Sequence, residues 1–180
     1  MGFDKSLLLV DGEPISVRLG RLLGEVASPL VEVGRGCSGL PTVREEPPGS
    51  GPLVAVSAGR AELLRIGHQG PALVLACDLP LLDVAVLHLL VGWPGDASVV
   101  PVVHGHTQPL CARWSAGDLD AAAVLVEKGV RSMRALLGHS DPVMLDESLW
   151  SGVVGAATFA DVDVPSDLVA LDFEIASSGG

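Results

Sequence analysis

An α/β sandwich of the doubly wound or Rossmann-like kind, built on a mostly parallel sheet, is the fold class this sequence predicts, and three features predict it. Apolar positions at helical spacing alternate with short apolar runs over most of the chain, the order that places helices on both faces of a sheet. Residues 72–77 are apolar without polar alternation, the pattern of a strand covered on both faces. Asp78 stands directly behind that run, where open parallel sheets hold their ligands.

Taken in order, Ile15, Leu19, Leu22 and Val26 share one helical face while Arg18, Arg21 and Glu25 lie elsewhere on the cylinder. Pro14 suits the first turn of that helix, and Ser28-Pro29 closes it. Residues 30–33 and 40–44 read as strands. The loop Glu45-Glu46-Pro47-Pro48-Gly49-Ser50-Gly51 excludes regular structure, and Pro52 opens a second helix. After the strand at 72–77, helical spacing returns over 81–90. Residues 98–103 and 108–114 read as two strands joined by the His104-Gly105-His106-Thr107 turn. Residues 118–137 read as helical with a break near Gly129, 156–159 as extended, and 165–170 as a short helix. One domain over residues 1–170 with a loose tail at 171–180 is the expected organisation.

Composition narrows the classes. Of 180 residues 48% are hydrophobic, yet charges, glycines and prolines interrupt every run before the ~18 apolar residues of a membrane span. The first residues, Met1-Gly2-Phe3-Asp4-Lys5, do not form a secretory signal, so the cytoplasm is the expected location and a membrane is not an expected partner. Cys37, Cys77 and Cys111 are an odd set at unrelated spacings, read as thiols and not as a zinc or redox site. A net charge of −11 without a tyrosine argues against a nucleic-acid surface. An acidic chain that handles phosphates needs a cation, which points to Mg²⁺ bridging carboxylate and phosphate.

Two readings of Asp78 stand side by side. It either turns into the cleft to hold Mg²⁺ against a triphosphate, or caps the helix predicted from residue 81. Glu45 and Glu46 precede a rigid loop leading to a helix start at Gly51-Pro52, whose amides can receive an anion or a base edge; solvated surface is the alternative. Gly34-Arg35-Gly36-Cys37-Ser38-Gly39 matches GxGxxG after a predicted strand, but Pro41 follows and no helix is predicted, so a mobile glycine loop is the better account. His104, His106 and Cys111 sit around a turn with no fourth ligand, and His139-Ser140-Asp141 is a polar cluster at a helix end.

Read together, Met1-Gly2-Phe3-Asp4-Lys5-Ser6-Leu7-Leu8, Asp11-Gly12-Glu13-Pro14, Gly51-Pro52-Leu53, Ala76-Cys77-Asp78-Leu79-Pro80, Gln108-Pro109-Leu110 and the run from Asp161 to Leu168 resemble, in this order, the molybdenum-cofactor guanylyltransferase family. That resemblance implies a Rossmann-like nucleotidyltransferase fold, a three-layer sandwich. It implies transfer of GMP from GTP to molybdopterin with release of pyrophosphate, and molybdoenzyme maturation proteins as partners. Lys5 matches the family lysine that contacts the triphosphate and Asp78 the metal-binding aspartate. Glu46 falls near an aspartate used for the guanine nucleotide, Gln108-Pro109-Leu110 near the pterin-side pocket, and Asp163 near the metal or its waters.

The sequence departs from the family pattern twice. The family usually opens with an apolar strand and a Leu-x-Gly-Gly-x-Ser-x-Arg loop before Met-Gly-x-Asp-Lys, whereas this sequence opens at that Met, as a start assigned too late or a truncated copy would. Val164 stands where the closing motif usually carries threonine. The alternatives are a related transferase using CTP or another phosphorylated acceptor, and an inactive relative serving as a binding module.

Overall fold

The computed structural model describes residues 9–161. Lys5, Asp163, Val164 and the helix expected at 165–170 lie outside them. The described chain opens with a small antiparallel hairpin, β1 (Leu9–Val10) and β2 (Glu13–Pro14). Helix α1 (Ile15–Val26) follows and buries Ile15, Leu19 and Leu22, the i, i+4, i+7 stripe that binds an amphipathic helix to a core. It ends where Ala27 turns extended ahead of Ser28-Pro29.

Strands β3 (Glu32–Val33) and β4 (Thr42–Val43) pair in parallel, and α2 (Pro52–Arg65) begins with proline at its first turn. Beyond it come β5 (Ala72–Leu75), α3 (Val84–Gly92), β6 (Val99–Val103), β7 (His106–Thr107) and β8 (Cys111–Trp114). The order is completed by α4 (Ala116–Glu127), α5 (Met133–His139), β9 (Val143–Leu145), α6 (Glu147–Trp150) and a 3-10 helix at Ala156–Phe159. The extended conformation expected for that last segment is therefore corrected. Thr158 Oγ1 accepts the Asp83 amide at 2.8 Å and donates to the Leu81 carbonyl at 3.2 Å, and this anchoring draws the segment into a turn.

The sheet also departs from expectation. Its main body runs β5-β8-β6-β7, all antiparallel, with β9 parallel to β6. The expected mostly parallel sheet is corrected for a topological reason: the chain leaves β6 through the His104-Gly105 turn, returns through β7, and inserts β8 between β5 and β6. A strand reached by such a reversal runs against its neighbours.

Side chains of β6 and β8 alternate between two cores, one against α1 and α3 and one against α2, α4 and α5. Val99, Val103 and Cys111 enter the first, while Val100, Ala112 and Trp114 enter the second. Helices thus cover both faces of the sheet, three layers in all. Arg113, buried in β8, donates to the carbonyls of Val91, Trp93, Gly95 and Ala97 and so secures the chain between α3 and β6. Arg60 does similar work on the other face, reaching the Gly70 and Gln69 carbonyls and Asp120. In contrast, β5 is only half-buried along its length, and among the described residues it pairs on one side only, with β8.

Candidate functional site

A cavity of about 650 Å³ opens at the carboxyl end of β5. Ser16 and Leu19 of α1 form one wall, Val33 to Arg35 another, and Glu45, Gly49, Ala76 and Cys77 close its rim. Asp78 comes next in the chain, half-buried, and lines the adjoining cavity that Cys77 shares. The capping alternative for Asp78 falls away: α3 starts at Val84, and Asp83 is its cap, accepting the Ala85 amide at 2.8 Å. Leu79 and Pro80 are buried behind Asp78, Arg18 Nε donates to the Pro80 carbonyl at 3.2 Å, and Thr158 holds Leu81 and Asp83. The turn that carries Asp78 is therefore held from α1 and from the 3-10 helix.

The glycine loop has a definite occupant. Glu32 Oε1 accepts the amides of Gly36 and Cys37 at 2.7 and 2.8 Å, and Oε2 accepts the Ser38 amide at 2.8 Å and its hydroxyl. Successive amides converging on an anion form a nest, here filled by a carboxylate of the same chain. Burial would push the Glu32 carboxyl up, but the Ser38 hydroxyl and the three amides outweigh it and hold the group below the usual carboxylate range. The loop joins β3 to β4 and opens no helix, so the dinucleotide reading is excluded by context, and the expected mobility gives way to four hydrogen bonds.

Of the two neighbouring glutamates, Glu45 lines the cavity and accepts the Gly49 amide at 2.9 Å, while Glu46 is exposed and contributes nothing to the lining. Sequence reasoning favoured Glu46; only the fold of the Pro/Gly loop distinguishes them. Gly51 adopts φ +102° at the start of α2, and the Leu53 amide donates to the Arg131 carbonyl at 3.2 Å, so one amide of that helix end is already occupied. Pro52 lines the adjoining cavity.

Pairing of Leu75 with Cys111, continued by the bond from the Ala76 amide to the Leu110 carbonyl, brings Gln108 and Pro109 to the end of the sheet that carries Cys77 and Asp78. Pro109 is fixed there by the Trp114 indole, which donates to its carbonyl at 3.0 Å. His104 and His106 are exposed on the β6-β7 hairpin, and burial pushes the Cys111 thiol up to about 12. Among the described residues no group of three His, Cys, Asp or Glu side chains gathers to hold a metal. No helix among them is long and apolar enough to cross a membrane.

Helices on both faces of a sheet with a cleft at a strand's carboxyl end define a three-layer α/β fold. The comparison with solved structures agrees: molybdopterin-guanine dinucleotide biosynthesis protein A from Archaeoglobus fulgidus superposes with a TM-score of 0.72 at 21% identity over 98% of this chain and 92% of that one. The 2-C-methyl-D-erythritol 4-phosphate cytidylyltransferase of Thermus thermophilus gives 0.64 at 18% identity over 94% and 92%. Residues 1–143 match the model of the MobA-like NTP transferase domain, and the chain belongs to that family. Probable molybdenum cofactor guanylyltransferases of Mycobacterium tuberculosis and Mycobacterium bovis are 31% identical over 169 residues, 87% of this chain and 84% of theirs.

Proposed function

We propose that this chain, as one domain over residues 1–170, transfers GMP from GTP to molybdopterin and releases pyrophosphate. The observation that carries the reading is Asp78: a carboxylate at the carboxyl end of β5, on a turn braced by Arg18 and Thr158, with the capping role given to Asp83. Membership in a family of nucleotide transferases and the names of the mycobacterial relatives support the choice of nucleotide and acceptor.

In the reaction a terminal phosphate oxygen of the acceptor forms a bond to the α-phosphorus of GTP, and the bond from that phosphorus to the leaving pyrophosphate oxygen breaks. No side-chain nucleophile takes part, so the chain contributes alignment and charge. Asp78 would hold Mg²⁺, with Asp163 reaching the metal or its waters. A hard carboxylate suits that ion, which is commonly bound by one or two carboxylates with phosphates and water completing the shell, so the absence of a three-residue cluster among the described residues is compatible with it. Bound there, the ion would neutralise phosphate charge. Lys5 would balance the charge that grows on the triphosphate. The cavity beside Val33 to Arg35 and Glu45 would take the nucleoside, and the Gln108-Pro109 side the pterin.

The deciding measurement is pyrophosphate release from GTP with molybdopterin and Mg²⁺, repeated with CTP and with Asp78→Ala. Turnover with GTP that Asp78→Ala abolishes is the expected result. Preference for CTP would replace the nucleotide assignment, and full activity in the variant would remove Asp78 from the mechanism.

A further inference from the structure

The loop between β3 and β4 turns its hydrogen-bond donors on its own chain. Its stem is closed by the amides of Glu32 and Gly34, which donate to the Pro41 and Val43 carbonyls at 2.8 Å. Its tip turns through Gly36 and Gly39 at φ +83° and +79°, and glycine loses more conformational freedom on being ordered than any other residue. The Glu32 carboxylate offsets that loss. An ionised carboxylate offers about four lone-pair sites, and they meet the amides of Gly36, Cys37 and Ser38 and the Ser38 hydroxyl.

This pairing fixes what each side can still do. Glu32 lines the cavity at the carboxyl end of β5, yet its acceptor sites are already taken up by the loop. The amides of Gly36, Cys37 and Ser38 are taken as well, and a carboxylate held below the usual range puts negative charge at their centre. A glycine nest ordinarily receives an anion such as phosphate; this one already holds its anion and repels a second. What the loop gives the cavity is a wall. Gly34, Arg35, Cys37 and Ser38 line the space, and Leu40 closes against α1, where a Cβ at Gly20 would stand 3.3 Å from Leu40 Cδ1. The rim at Ala76 and Cys77 leads instead to Asp78.

We infer that Glu32 is a positioning residue for the nucleoside end of the nucleotide, acting through the loop it clamps: it orders the wall on which base and ribose lie, with the triphosphate directed away from that wall. A wall ordered before binding leaves less to be ordered by the ligand. The inference rests on the transferase reading of this cavity and adds the residue that shapes its nucleoside side and the direction in which the nucleotide lies.

The test is calorimetric titration of GTP, guanosine and tripolyphosphate, each with Mg²⁺, into the unaltered chain, Glu32→Gln and Gly36→Ala. Glu32→Gln removes the charge that gathers the donors. Gly36→Ala leaves Glu32 in place but adds a Cβ at φ +83° and 3.2 Å from Thr42 Oγ1, at a residue that does not itself line the cavity. Both variants should bind GTP and guanosine about tenfold more weakly, the scale of a lost ordering contribution, and should bind tripolyphosphate as the unaltered chain does. If Glu32→Gln does not fold, Gly36→Ala decides by the same comparison. Unchanged GTP affinity in the variants overturns the inference, and so does an equal loss for tripolyphosphate, which would make the clamp a support of the whole site. Weakening by Glu32→Gln alone also overturns it, because Glu32 would then touch the nucleoside directly. Failure of the unaltered chain to bind GTP or guanosine is a different result: it removes the nucleoside site, and the transferase reading of the cavity falls with it.

Discussion

Ser38 gives Glu32 both of its donors, the amide at 2.8 Å and the hydroxyl at 2.5 Å, to the same carboxylate oxygen, Oε2. The other oxygen takes Gly36 and Cys37, so one side chain closes the loop that forms a wall of the candidate nucleotide cavity. One acid on β3 thereby shapes a wall of the cavity.

Glu32→Gln should loosen this loop and lower stability by about 1–3 kcal/mol, since amides lose their charged acceptor. The folded carboxyl titrates below its unfolded value. Its contribution is therefore complete above the unfolded value of about 4.3 and is lost as pH falls through the lower folded value. Thermal melts of both proteins from pH 7 down to pH 3 should differ most at the top of that range and converge at the bottom. A constant gap would mean that the carboxylate charge is not what holds the loop.

Asp78→Asn keeps the size of the side chain and removes its charge. Pyrophosphate release should fall by about 10²- to 10³-fold, the scale on which one electrostatic group at a reacting centre acts, while the capping bond at α3, which belongs to Asp83, stays in place. An equal loss of stability would point to a structural role.

Helices α1 and α2 were legible in the sequence because their signals are local: a stripe at Ile15, Leu19 and Leu22 in one, proline at the first turn in the other. Strand direction was not, since pairing Ala72 with Trp114 depends on a reversal far along the chain. Strand β9 went unread because Val143–Leu145 is three residues long with no alternation to detect, and its sheet place comes from pairing with Val99 to Pro101. At the candidate site, the place of Asp78 just beyond β5 was legible from the apolar run ahead of it. Glu32 was not, because nothing in its own neighbourhood says that the following loop curls back onto it, and the choice between Glu45 and Glu46 rests on which one the rigid loop turns inward.

Gly51→Ala should lower stability by about 1–3 kcal/mol. Its φ of +102° is one that L side chains rarely adopt, and an added Cβ would sit 3.1 Å from the Arg131 carbonyl oxygen. That carbonyl also accepts the Leu53 amide, so relief by moving Arg131 would cost the hydrogen bond at the start of α2. Chemical denaturation should report a lower midpoint; an unchanged one would mean that the α2 start readily shifts.

The thiols offer a way to map the site without mutation. Cys77 is exposed and Cys37 half-buried, and both line the first cavity, whereas Cys111 is buried in β8 opposite Leu75. Burial pushes the Cys111 thiol up to about 12, so at pH 8 roughly one molecule in ten thousand carries the reactive thiolate there. Iodoacetamide followed by peptide mass mapping should modify Cys77 first, Cys37 more slowly, and Cys111 only after denaturant is added. Because Cys77 precedes Asp78 at the cavity rim, GTP with Mg²⁺ should slow labelling of Cys77 and Cys37 together and leave Cys111 as it was. Protection of neither thiol by saturating nucleotide would place the GTP site elsewhere on the molecule, and labelling of Cys111 in the native chain at the rate of Cys77 would mean that β8 opens far more readily than its burial implies.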